Sequence, residues 1–268
     1  MLRRKQDIRS NDDWLTAYDT CCDAVSREQS DRLAQDTADR IESVMRAHSK
    51  PASGWCAGKD SIVLEHLLCR FGFEHEPIMW RGVNEYPAMA KWIDGNAPDN
   101  LRCSIVGKFS LEFLEAHPDY LFCQGDTRNK WMAEKWRRQR ADMESGGYDL
   151  LILGRRRKDG NQCGKAENAY VADRGGFDAF SPLADWTHEE LLAYIRWNGI
   201  ELPPFYSWPN GFLYGSVAMG EWTERPAMGR PESAVWDEIM RIDAEIVKGA
   251  ANTLTAARRY LDSIGAEG

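Results

Sequence analysis

Four consecutive apolar residues, Leu150, Leu151, Ile152 and Leu153, lie in the run Tyr148 to Gly154 and constrain the fold more than any other feature. A strand with one wet face alternates apolar with polar side chains. An unbroken run needs cover on both faces, which is the habit of a central parallel strand. Two more apolar segments, Pro77 to Trp80 and Cys103 to Val106, read as strands, with helical stretches at Pro87 to Ile93, Ser110 to Ala116 and Asn129 to Glu144. Strands separated by helices imply a parallel sheet with right-handed crossovers and ligands at the carboxyl ends of its strands. The fold class expected is α/β, a Rossmann-like parallel sheet flanked by helices.

Helical additions are expected at both ends. Trp14, Leu15, Ala17 and Tyr18, then Leu33, Ala34, Ala38, Ile41, Val44 and Met45, return at three and four residues, so Asn11 to about Ser49 reads as helical. Pro51 to Gly54 break that pattern. Leu183 to Trp197 is amphipathic with Asp185 as the expected cap, Leu202 to Gly220 reads as a Pro/Gly/aromatic loop, and the chain from Pro231 is helical again. Its apolar side, including Val235, Trp236 and Ile239, suits either its own core or a homodimer. The organisation expected is 1–49 helical, 50–222 nucleotide-binding and 223–268 helical.

Charge and cysteine content narrow the function. The formal net charge of -8 removes a global basic footprint, yet Lys and Arg gather from Arg128 to Lys158. That stretch reads as a solvated helix face, with a nucleic-acid track as the alternative. No apolar run reaches membrane-spanning length, and no apolar segment follows the basic residues of Met1 to Ser10. The seven cysteines are odd in number and irregular in spacing, with no Cys-x-x-Cys, and no two of the five histidines fall at His-x-x-x-His spacing. A cytoplasmic protein without zinc, an iron-sulfur cluster or membrane attachment is expected.

The segment Gly54-Trp-Cys-Ala-Gly-Lys-Asp-Ser61 joins a strand to a helix, where free backbone N–H groups and the positive helix end favour an anion. Ala57 and Gly58 let an oxyanion approach, Lys59 adds a point charge, Ser61 a hydroxyl, and Asp60 folds back to cap N–H groups. It is not a Walker A loop, because three residues separate Gly54 from Gly58 and Asp60 follows Lys59. Arg156, just beyond the apolar strand, is placed for a forked contact to a phosphate or sulfate, with Asp159 to orient it or a ribose hydroxyl.

Cys56-Ala-Gly-Lys-Asp-Ser61 resembles the Ser-Gly-Gly-Lys-Asp-Ser pyrophosphate loop of the adenine nucleotide alpha hydrolase superfamily. Gly154 to Asp159 resembles the Gly-x-Arg-x-x-Glu element of its phosphoadenosine phosphosulfate (PAPS) reductase family. Ser181 to Ile195 is similar to that family's Pro-Leu-x-Asp-Trp-Thr helix, Leu202 to Tyr206 to its Leu-Pro loop, and Tyr214-Gly215-Ser216 stands where its Gly-Cys commonly lies.

The resemblance implies an adenine-nucleotide site made by Cys56, Ala57, Gly58, Lys59, Asp60, Ser61, Arg81, Arg156, Asp159 and Gly215, with Lys59 and Arg156 as the catalytic pair. Departures shape the expected chemistry. No cysteine follows Cys163, whereas sulfonucleotide reduction needs a thiol on a C-terminal segment, and Arg81-Gly82-Val83 replaces the usual Asp-Thr-Gly. The leading expectation is therefore ATP with Mg, cleaved between its alpha and beta phosphates to adenylylate an unknown acceptor, a nucleotide or nucleic acid among the choices. A PAPS or APS reductase is one alternative. A non-catalytic nucleotide sensor or partner subunit is the other.

Overall fold

Leu150–Leu153 form a strand, β4, and all four side chains are buried, as the unbroken apolar run requires. The computed structural model describes residues 10–105, 109–123, 127–164, 169–173, 175–225, 227 and 229–266. The sheet also contains β1 (Pro51–Gly54), β2 (Glu76–Arg81), β3 (Arg102–Ile105), β5 (Tyr170–Val171) and β6 (Asp178–Phe180), in the order β3-β2-β1-β4-β6-β5. β1 pairs in parallel with β2 and β4, β4 in parallel with β6, and only β5 is recorded antiparallel among the described pairs. The α/β class with a mostly parallel sheet and helices at both ends is as expected.

Local differences have physical reasons. Pro51–Gly54, expected to be a break, is β1: Pro51 needs no backbone donor at the start of a strand, and Ala52 and Ser53 are small enough to be buried between layers. The N-terminal helical stretch is two helices, α1 (Asn11–Ala24) and α2 (Arg27–Met45). Ser26 ends the first and starts the second, accepting from the Gln29 N–H while the Gln29 side chain returns to the Ser26 N–H. The segment read as a loop to Gly220 contains α8 (Gly211–Gly220), interrupted at Gly215. Val106, expected in the third strand, lies outside the described residues.

Contacts divide the chain into two units. The first holds the described residues up to Met79, Ala97–Ser104 and Arg140–Pro203. Here α3 (Lys59–Arg70) follows β1 and buries Val63, Leu64, Leu67 and Leu68 at helical spacing, and α7 (His188–Trp197) packs against α1, α2 and α3. Polar ties fix that packing: Trp186 Nε1 donates to Thr37 Oγ1 at 3.1 Å, Trp197 Nε1 to the Val25 carbonyl at 3.0 Å, and Arg40 to the Pro182 carbonyl at 3.0 Å. Asp185, the expected cap of α7, instead pairs with Arg157. Thr187 is the N-cap, in a reciprocal capping box with Glu190.

The second unit holds Trp80–Asn96 and the described residues of Ile105–Gln139 and from Pro204 onward. It contains α4 (Pro87–Asn96), α5 (Leu111–Ala116), α9 (Glu232–Ile242), α10 (Ala244–Ala251) and α11 (Thr255–Ile264). Trp236 is the centre of its core, 4.8 Å from the Phe122 ring, 5.9 Å from Trp222 and 6.2 Å from Tyr260. The apolar side of the C-terminal helices, including Val235, Ile239, Val247 and Leu261, is buried within this fold. Glu115 anchors α11 by accepting from the Thr255 N–H at 2.8 Å and its hydroxyl at 2.6 Å.

Gly154, at the end of β4, touches the start of α3 so closely that a Cβ there would meet the Asp60 carbonyl oxygen at 2.7 Å, while a Cβ on Gly95 in α4 would meet nothing. Gly154→Ala is expected to lower the unfolding free energy by about 1–3 kcal/mol through overpacking against backbone. Gly95→Ala is expected to raise it by about 0.5–1 kcal/mol through helix propensity. Urea midpoints of the two variants check both, and a neutral Gly154→Ala would show that the contact is slack.

Candidate functional site

The strand order reverses around β1: β2 and β3 lie on one side of it, β4 and β6 on the other. In an open parallel sheet the crevice beyond the carboxyl ends of the strands at such a reversal is where ligands sit. The loop 55–58 leaves β1 there and Arg156 follows β4, so the sheet topology brings together two segments that are about a hundred residues apart in sequence.

The loop is a strained, self-bonded turn. Trp55 donates its N–H to the Ile78 carbonyl at 2.9 Å, and Ala57 is buried with φ at 54°, a left-handed conformation that costs a residue with a Cβ about 1–2 kcal/mol. Ser61 Oγ accepts from the Cys56 N–H at 3.1 Å and donates to the Gly58 carbonyl at 2.9 Å. That hydroxyl, expected to face a ligand, therefore braces the loop from beneath. Gly58 is the N-cap of α3 and makes no side-chain cap, so the positive end of the helix faces the loop with no capping side chain over it. Cys56 is exposed.

Behind the loop stands a buried chain of alternating charges. Lys59 Nζ lies 2.8 Å from Asp60 Oδ2 and 5.3 Å from the centre of the Trp14 ring. Arg156 Nε donates to Asp60 Oδ1 at 2.6 Å, and Nη2 pairs with Asp159 Oδ2 at 2.8 Å. Its remaining donors reach the Trp186 and Thr187 carbonyls at 3.3 and 3.0 Å and His188 Nδ1 at 3.2 Å. A guanidinium has five N–H groups. All five are accounted for, and Arg156 is 0% exposed. Arg156, expected to fork onto a ligand, is placed as a buried brace, because the carboxylates and carbonyls around it satisfy it completely.

The electrostatics follow from that chain. Burial opposes the charge on Asp60, but Lys59 and Arg156 outweigh it and hold the carboxyl well below the ordinary range. Asp159 keeps the role of orienting Arg156. His188 is fully buried, and burial together with the adjacent guanidinium pushes it down to about 4. Arg156 only donates, so neutral His188 accepts at Nδ1 and carries its proton on Nε2. The sequence reading missed both His188 and Trp14. Nothing local in sequence connects Trp14 to Lys59. The one signal for His188 was its position next to Thr187, at the mouth of α7.

Two expected site residues belong to the second unit. Arg81 Nε lies 3.0 Å from both Glu85 carboxylate oxygens, so its charge is balanced four residues along the chain, across the loop that follows β2. Gly215 interrupts α8 with φ 67° and ψ −176°, a conformation open essentially to glycine alone. This unit also buries Glu221 and Glu224. Burial and Glu221 push Glu224 well above the ordinary carboxyl range, against the pull of Lys135, whose Nζ is 3.2 Å away. Among the described residues no three His, Cys, Asp or Glu side chains are grouped to hold a metal ion.

A family model described as the phosphoadenosine phosphosulfate reductase domain matches residues 50–213. A phosphoadenosine phosphosulfate reductase of Emericella nidulans is 33% identical over 89 residues, which are 33% of this chain and 28% of that protein. The matched stretch thus spans less than a third of the curated relative. The crystal structure of phosphoadenylyl-sulfate reductase from Candida auris, in a phosphate complex, superposes with a TM-score of 0.50 at 16% identity, covering 68% of this chain and 92% of the other. The expectation against reductase chemistry gains no support from these likenesses.

Two pH dependences test the buried groups. A neutral buried His188 contributes stability that is present above its ordinary 6.5 and lost as pH falls toward about 4. His188→Gln is expected to flatten the decline of the urea midpoint in that window. The raised Glu224 has the opposite sign: its contribution is present below the ordinary carboxyl value and is lost as pH rises through the folded value. Glu224→Gln is expected to gain stability over the parent at pH 8 relative to pH 5. An unchanged pH profile in either variant would contradict its assignment.

Proposed function

Because the chain belongs to the phosphoadenosine phosphosulfate reductase domain family, we propose that it binds a phosphorylated adenine nucleotide with its anionic end in the 56–61 loop. Sulfonucleotide reduction is the first reading. The observation that carries the binding site is the N-terminus of α3 at Gly58, which no capping side chain covers, with Lys59 held beside it. Asp60 has two cationic partners, so Lys59 can swing to an arriving phosphate while Arg156 still neutralises Asp60. Lys59 is then the group that touches the ligand, and Arg156 is a positioning residue. Asp159 joins the proposed set through its pair with Arg156, and Arg81 and Gly215 are proposed as nucleotide-binding residues of the second unit.

In this reading a thiolate attacks the sulfur of the sulfonate, forming an S–S bond as the S–O bond to the nucleotide phosphate breaks. The electron pair leaves on the phosphate oxygen, and Lys59 with the α3 N–H groups offsets that charge. An external dithiol then releases sulfite and is oxidised to the disulfide. Cys56, exposed in the loop itself, is the thiol proposed.

The second reading is cleavage of ATP between its alpha and beta phosphates, with an acceptor adenylylated. It is favoured by one observation: the 105 residues after Cys163 contain no cysteine. Among the described residues no magnesium cage stands beside the loop, since Asp60 and Asp159 are already paired with Lys59 and Arg156. Magnesium would enter as the nucleotide's own counter-ion.

Binding of PAPS, adenosine 3′,5′-bisphosphate and ATP with Mg by calorimetry, with sulfite and pyrophosphate as product readouts, separates the readings. PAPS binding with dithiol-dependent sulfite release, lost in Cys56→Ser while binding persists, is the result expected. ATP-dependent pyrophosphate release would move the assignment to the second reading, and tight binding without turnover to a nucleotide sensor. Lys59→Ala is expected to weaken nucleotide binding about tenfold or more, the scale of one charge-assisted contact. Full affinity in that variant would remove the loop from the site.

A further inference from the structure

One helix presents an unusual outward face over the part that belongs to the second unit. α6 (Thr127–Gly146) carries six basic residues against three acidic ones, in a chain with a net charge of -8. Its cations divide by role. Lys135 turns inward to Glu224, whereas Lys130, Arg137 and Arg138 are exposed. Trp136 is 50% exposed, and no other described tryptophan side chain is classed as exposed.

The spacing gathers these groups. At 3.6 residues per turn, Lys130, Ala133, Trp136 and Arg137 fall within an arc of about 120°, while Arg138 lies about 160° from Trp136, on the other side of the helix. Ala133 is too small to shade the ring. Among the described residues Arg137 pairs along its own helix, with Glu134, and its side chain is 72% exposed. An exposed pair of this kind is worth little in water and gives way to a competing phosphate.

We propose that this face of α6 is a contact surface for single-stranded nucleic acid, with Trp136 as a stacking platform for a base and Lys130 and Arg137 on neighbouring phosphates. Base stacking and basic side chains that track the backbone are the two components such surfaces combine. An acidic peptide would answer the cations and leave the ring in water, and a duplex keeps its base faces stacked away. The negative charge of the rest of the chain makes the contact local and sensitive to salt. The inference stands independently of the nucleotide chemistry at the 56–61 loop.

The test is fluorescence anisotropy of the full chain with end-labelled oligothymidylate and oligouridylate, a duplex of equal length and an oligoglutamate peptide, at low and moderate salt. Single-strand binding is expected, weakened about tenfold by Trp136→Ala, restored by Trp136→Phe, and unmatched by duplex or peptide. Lys130→Ala with Arg137→Ala is expected to lower affinity further and to reduce the salt slope by about 1.4, two single-strand phosphates. All three side chains are exposed, so circular dichroism of the variants should match the parent. Absence of single-strand binding at low salt, equal binding of the peptide or the duplex, or indifference to Trp136→Ala would each overturn the proposal.

Discussion

A guanidinium stripped of water is among the costlier groups to bury, and Arg156 is repaid only by complete satisfaction. Asp60 belongs to the first turn of α3, Asp159 to the turn after β4, and the Trp186 and Thr187 carbonyls to the entry of α7. One planar cation therefore fixes the mutual position of three segments that converge on the phosphate loop. Removing it would leave the buried Asp159 without its cation and Asp60 with Lys59 alone, at a cost of about 3 kcal/mol or more. The loop's own bonds, from Cys56 through Ser61 to Gly58, hold its shape, but its place at the end of the sheet depends on Arg156.

The charges of Lys59, Asp60, Arg156 and Asp159 cancel, and His188 is neutral. An anion is therefore not drawn to this place by an excess of side-chain charge. The attraction comes from the dipole and N–H groups of α3, with Lys59 able to exchange one carboxylate for the ligand. Such an arrangement leaves no uncompensated cation buried when the ligand is gone, which is what permits Lys59 to sit so deeply beneath Trp14.

The features legible in the sequence were those with a strong local physical signature. The apolar run 150–153 could only be a covered strand, and the apolar spacing of Val63, Leu64 and Leu67 could only be a helix. The loop between them was readable from its small residues. The strands Tyr170–Val171 and Asp178–Phe180 are too short to show a period, and α8 is masked by glycines and aromatics that favour a loop. The start of α7 was misplaced at Asp185 because Asp and Thr both cap helices. Glu190, three residues after Thr187, was the deciding mark, since only Thr187 can close a box with it. An arginine after a strand does not reveal by itself whether it reaches outward or braces inward. Arg156 braces because His188 and the α7 entry stand behind it, and that proximity is purely tertiary.

The central ladder of the sheet joins Pro51 to Leu150, so β1 meets its second neighbour only after a long excursion of chain has been made. On a ribosome adding residues from the N-terminus, β1 and β2 emerge early and leave one edge of β1 bare until β4 arrives. Contacts this distant in sequence slow folding, because chain entropy is spent before pairing returns it. During that interval Asp60 also lacks Arg156, so the first turn of α3 is completed in the same late event that closes the sheet. Synthesis rate and chaperone access, more than the final stability of the sheet, would then govern the yield of this protein in a cell.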